Sequence, residues 1–91
     1  MSTAPAEDDK KQRERARRLA RTIITDIMIY NQDTLDIARS QRSIAKLLAQ
    51  EITRGKKLYE EKVGPQIAKS TDYFDKGLID ILAEGNPRLM G

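Results

Sequence analysis

The run Arg17-Arg18-Leu19-Ala20-Arg21-Thr22-Ile23-Ile24-Thr25-Asp26-Ile27-Met28-Ile29-Tyr30 constrains the fold most sharply. Wound as a helix at about 100° per residue, it gathers Leu19, Ala20, Ile23, Ile24, Ile27, Met28 and Tyr30, with Ala16 just before it, onto roughly half the circumference. Arg18, Arg21, Thr22, Thr25 and Asp26 take the other half, and only Ile29 is out of place. A stripe of about 100° seats one helix on a core. This stripe is wider, so it suits two neighbours, one of them supplied by a second chain.

The rest of the sequence has little with which to thicken a core. Among 91 residues the hydrophobic share is 38%, with one Phe and no Trp. Charged residues make up 34%, with five glycines and three prolines, a balance closer to long helices or a coiled coil than to a compact globule. Small domains of this kind are held by disulfides, a metal or self-association. The chain has no Cys and no His, which excludes the first and disfavours a transition-metal site. Self-association is the expectation left, with no cofactor.

Helix boundaries are legible from local chemistry. Residues 1–9, with Glu7-Asp8-Asp9 and no large apolar side chain after Met1, read as a disordered acidic lead-in. Asn31-Gln32-Asp33-Thr34 ends the first helix, with Asn31 as a stop or as the cap of the next, and Asp33 as a second cap. From Leu35 to Val63 there is no proline and one glycine, and Ile37, Gln41, Ile44, Leu48, Ile52, Gly55, Tyr59 and Val63 recur three or four residues apart. Gly55 costs about 1 kcal/mol in a helix interior, which suggests a close backbone approach or a mild bend. Gly64-Pro65 closes one helix and opens another, and Gly85 with Pro87 stops the last.

The predicted fold class is therefore all-α, three helices short–long–short at about 12–30, 33–62 and 65–84. They form an antiparallel helical hairpin or bundle completed by dimerisation. Residues 10–85 make one domain and 86–91 a frayed tail. The expected self-association interface is Ile24, Met28 and Ile29 together with the seam Ile44, Leu48 and Ile52.

Charge is concentrated in one place. Lys10, Lys11, Arg13, Arg15, Arg17, Arg18 and Arg21 stand against Glu14 alone, a net of +6 over residues 10–21. Residues 1–9 carry −3 and the whole chain +3, so residues 22–91 sum to zero. The seven cations form a basic N-terminal arm, readable as a solvated helix end lending solubility or as a surface suited to phosphate contacts, an acidic protein or, less well, an anionic membrane surface. No aromatic is interleaved to stack on bases.

Catalysis is not expected, because the usual neutral-pH base and the strongest nucleophile are both missing. Asp72, Asp75 and Asp80 lack the spacing of a calcium loop and sit in helical text. There is no glycine-rich phosphate loop and no small-molecule substrate is expected. No apolar run reaches bilayer length. The opening is acidic rather than basic-then-apolar, so the cytoplasm is the expected compartment.

The text ARRLARTIITDIMIYNQDTLDIAR, then RGKKLYEEKV, then DYFDKGLIDILAEG resembles a helical tail module of uncharacterised bacterial proteins, over about residues 16–85. The resemblance implies an appended all-α adaptor or oligomerisation segment and carries no catalytic or binding residue with it. Here almost nothing precedes the module, so it is expected to act alone or with a partner chain. The functional expectation is a non-enzymatic, homodimeric interaction module displaying a basic arm. The alternative is a small nucleic-acid-binding protein contacting phosphates through Lys10–Arg21.

Overall fold

The computed structural model describes residues 5–91, with their side chains from Lys10 onward. Of the lead-in expected over 1–9, residues 1–4 lie outside the described residues, and the backbone from Pro5 already belongs to the first helix. All regular structure among the described residues is helical. In chain order it comprises α1 (Pro5–Tyr30), α2 (Gln32–Gln41), α3 (Ile44–Leu47), α4 (Ala49–Val63), α5 (Pro65–Ser70) and α6 (Tyr73–Gly77). A π-helical turn (Leu78–Leu82) and a 3₁₀ turn (Pro87–Met90) complete the chain. No helix among the described residues is long and apolar enough to cross a membrane.

The helical class is as expected; the count is not. Six α-helices replace the short–long–short trio, because the long middle rod is cut twice and the third helix once. The first cut falls in the apolar-poor stretch after Arg39. Arg42 turns left-handed at φ 53°, and Ser43 N–H closes back onto Ala38 O at 2.9 Å, a Schellman-type ending. The second falls at Leu48, whose φ of −110° and ψ of 23° interrupt the ladder between α3 and α4. The third helix breaks where Thr71 is extended (φ −133°, ψ 160°). There the Thr71 hydroxyl donates to Ile67 O at 2.7 Å, offering the carbonyl a partner other than backbone.

Local signals hold at the other joints. Asn31 ends α1, its side-chain amide donating to Ile27 O at 2.8 Å, while its carbonyl accepts from Leu35 N–H at 2.8 Å. Gly64, at φ 88°, separates α4 from Pro65 at the start of α5. The tail expected to fray is a 3₁₀ turn instead. Asn86 caps it by accepting from Arg88 N–H at 3.1 Å, and Leu89 and Met90 pack half-buried on the core.

Three passes make the core: α1 packs against α4 on one side and against α6 with the π turn on the other. Two glycines permit this. A Cβ on Gly55 would sit 3.0 Å from Ile23 Cγ2 and 3.1 Å from Ile27 Cδ1, so close approach is the reason for a glycine in mid-helix. A Cβ on Gly77 would lie 2.6 Å from Ile24 Cδ1. Tyr59 and Phe74 meet beside Gly55 with ring centroids 5.6 Å apart, a favoured aromatic spacing. The helices α2 and α3 and the 3₁₀ turn pack together. Ile24, Leu35, Ile44, Leu48 and Leu82 are the largest fully buried side chains.

The Gly77–Ile24 contact gives a testable coupling. The methyl added by Gly77→Ala meets only the terminal methyl of Ile24, so its overpacking is expected to offset the roughly 1 kcal/mol by which Ala favours a helix and to leave a net change within about 1 kcal/mol. Ile24→Val, which deletes the Cδ1 in the way, is expected to cost about 0.5–1.5 kcal/mol. Combined, the two should cost at least 1 kcal/mol or so less than their sum, as contacting residues do. Urea unfolding of the four proteins measures this, and strict additivity would show that the methyl is not the obstacle.

Candidate functional site

The cations of the arm sit on the first turns of a helix whose later turns are locked in the core. Residues 10–15 are all exposed, and burial begins at Ala16 and recurs at Ala20, Ile23, Ile24 and Ile27. Lys10, Lys11, Arg13 and Arg15 therefore surround the axis beyond the core. Arg17, Arg18 and Arg21, also exposed, follow on the solvent face. Further along the chain, ion pairs join Arg39 with Asp36 and Glu84, Lys56 with Asp75, and Lys76 with Asp72. The arm's projection makes the molecule a rod of 55 × 21 × 19 Å.

A groove opens at the foot of the arm, between α1 and the α4–α5 turn. One chamber of about 420 Å³ is lined by Gln12, Val63, Gly64, Pro65, Gln66, Ile67 and Lys69. A second of about 330 Å³ is lined by Gln12, Arg15, Ala16, Leu19, Lys62, Val63 and Ile67. They share Gln12, Val63 and Ile67, so they are two ends of one depression. Its floor is aliphatic and half-buried; its rim carries Arg15, Lys62 and Lys69, with no carboxylate among the described lining residues. A neighbouring crevice on the other side of α5 is mixed, with Lys57 and Lys69 alongside Glu60 and Glu61.

The residues expected to mediate self-association are divided. Ile24 and Ile44 are 0% exposed and Leu48 1%, covered by the chain's own helices. These three are core, a correction that follows from α1 finding both its neighbours, α4 and α6, within one chain. Met28 and Ile52 are half-buried against the same core, and Ile29 is 50% exposed. Two further apolar residues are at least as exposed: Tyr30, next to Ile29, at 82%, and Ile37 on α2 at 52%. The 3.6-residue pattern put Ile37 in the seam, but the break at Arg42 frees α2 to bury Leu35 and Ala38 instead.

Asp72 and Asp75 lie in exposed ion pairs, with Lys76 at 3.7 Å and Lys56 at 3.6 Å. Among the described residues no cluster of three or more carboxylates is placed to hold a metal.

One feature had no signal in the periodicity. The Arg39 guanidinium donates from Nε to Leu82 O at 2.7 Å and from Nη2 to Ile81 O at 3.2 Å. It thus caps the carbonyl end of the π turn, where a cation is favoured by the helix dipole. Its role is to fasten α2 to the π turn. A search of family models, curated proteins and solved structures finds no match to this chain.

Proposed function

We propose that this chain is a non-enzymatic helical interaction module that captures an anionic partner on its basic arm. The observation that carries the reading is the run of exposed residues 10–15 on a helix rooted in the core from Ala16 onward. Because α1 is continuous, the cations are held at fixed spacing, and less side-chain and backbone freedom is lost on binding than for a free tail. The driving force is release of counterions from the partner, which is steeply salt-dependent and largely indifferent to sequence.

A 20-base-pair duplex serves as a generic polyanion probe. Binding is expected at 50 mM salt, with affinity falling linearly in log–log form as salt rises. Replacing Lys10, Lys11 and Arg18 with Gln should flatten that slope by about 2–3, since each phosphate contact contributes roughly 0.9. No binding at low salt, or a slope unmoved by the triple substitution, would remove the reading.

A homodimer is favoured by a different observation, the exposure of Ile29, Tyr30 and Ile37 around the α1–α2 turn. Pairing there keeps the two arms apart. Pairing through the arm foot would set two clusters of +6 against each other. Light scattering across micromolar concentrations, with and without Tyr30→Lys and Ile37→Lys, decides it.

A further inference from the structure

Building on the reading of the arm as an anion-capturing element, we propose that the groove at its foot docks an acidic amphipathic helix of a partner protein. The floor dictates the apolar half of that description. Val63 and Ile67 are four residues apart on either side of the α4–α5 turn, and Ala16 and Leu19 are three apart on α1. Leu19, Val63 and Ile67, each half-buried, thus line an apolar cleft between α1 and the α4–α5 turn, into which the apolar face of another helix fits. Leu-sized side chains at i and i+4 of the guest would leave water there, the dominant gain in such contacts.

The rim dictates the acidic half. Arg15, Lys62 and Lys69 flank the floor without a carboxylate among the lining residues, whereas the crevice beyond α5 is balanced by Glu60 and Glu61. Among the described residues lining the groove and the crevice, acid is thus confined to the far side of α5. Glu or Asp on the guest's flanks would meet these three cations, and the arm above would draw the guest in by its field. A nucleic acid fits this site less well. Its phosphates have no use for Leu19, Val63 and Ile67, and no aromatic lines the groove to stack on a base.

The test uses the full chain and three probes. One is an 18-residue peptide with Leu in an i, i+3, i+4, i+7 stripe and Glu on the remaining faces; one is a scrambled peptide of the same composition; one is the duplex. The striped peptide is expected to bind with 1:1 stoichiometry, at least tenfold tighter than the scrambled one, and to shift the methyl resonances of Val63 and Ile67. Ile67→Glu and, independently, the exposed Lys69→Glu should each weaken it about tenfold. Both variants should leave duplex affinity within about threefold, since neither alters a cation of the arm. Equal binding of both peptides, or indifference to both substitutions, would overturn the groove proposal while duplex binding kept the arm reading intact. Loss of duplex binding as well would overturn both.

Discussion

Ile24→Ala is expected to lower the free energy of unfolding by about 3–5 kcal/mol, the largest loss for any single aliphatic truncation in this chain. Ile24 is fully buried, and its Cδ1 fills the space over Gly77, so neither helix can move in to close the cavity that alanine would leave. A domain of 91 residues has on the order of 5–14 kcal/mol in total, so the variant should melt some 15 °C or more below the parent. The experiment also separates two roles for this residue. If Ile24 belongs to the single-chain core, then in a Tyr30→Lys, Ile37→Lys background, which removes pairing at the α1–α2 turn, the urea midpoint is independent of protein concentration with and without the truncation. If it belonged to a subunit contact, the midpoint would rise with concentration, as mass action requires.

Arg39→Ala should be the costliest change among the polar residues, at about 2–3 kcal/mol. The side chain is 22% exposed, and its two hydrogen bonds to Ile81 O and Leu82 O are charge-assisted. Truncation leaves those carbonyls without it, at a point where the π turn has no further helix to satisfy them. Arg39→Lys should recover less than half, because an ammonium is a point donor and cannot serve two carbonyls and Glu84 together as the planar fork does. Glu84→Gln isolates the ion pair. Its partners are 3.7 Å apart with the Glu84 side chain 66% exposed, so it should change stability by less than about 1 kcal/mol. Thermal unfolding of the three proteins orders these effects. If Lys matched Arg, the carbonyl contacts would not be what matters.

What the sequence revealed and what it concealed divide by range. The stop at Asn31, the Gly64-Pro65 joint and the end at Gly85 were all legible, because each depends on residues a few positions apart. The cationic arm was legible for the same reason, as was tight packing over Gly55, although side chains of Ile23, Ile27 and Phe74 approach there rather than another backbone. The breaks at Arg42 and Leu48 were not. A helical period runs straight through both, and α2 turns away to reach a partner more than 40 residues on, with Arg39 meeting Leu82 at a separation of 43. Ile37 was misplaced for that reason, and Ile24, Ile44 and Leu48 were assigned outward for a related one. A wide apolar stripe says how many neighbours a helix needs, but not whether they come from the same chain. The groove needed Val63 and Ile67 beside Leu19, a pairing that exists only once α4 has returned along α1.

The rod-like outline has an electrical consequence. Mobile ions damp a field over about 8 Å at physiological ionic strength, whereas Lys10 and Tyr30, 20 residues apart on α1, are about 30 Å apart at 1.5 Å per residue. The cationic pole and the apolar pole near Tyr30 are therefore insulated from each other. A polyanion seized at one does not alter the potential felt by a guest at the other. Traffic between the two poles has only a mechanical route, the single uninterrupted strut of α1 that joins them.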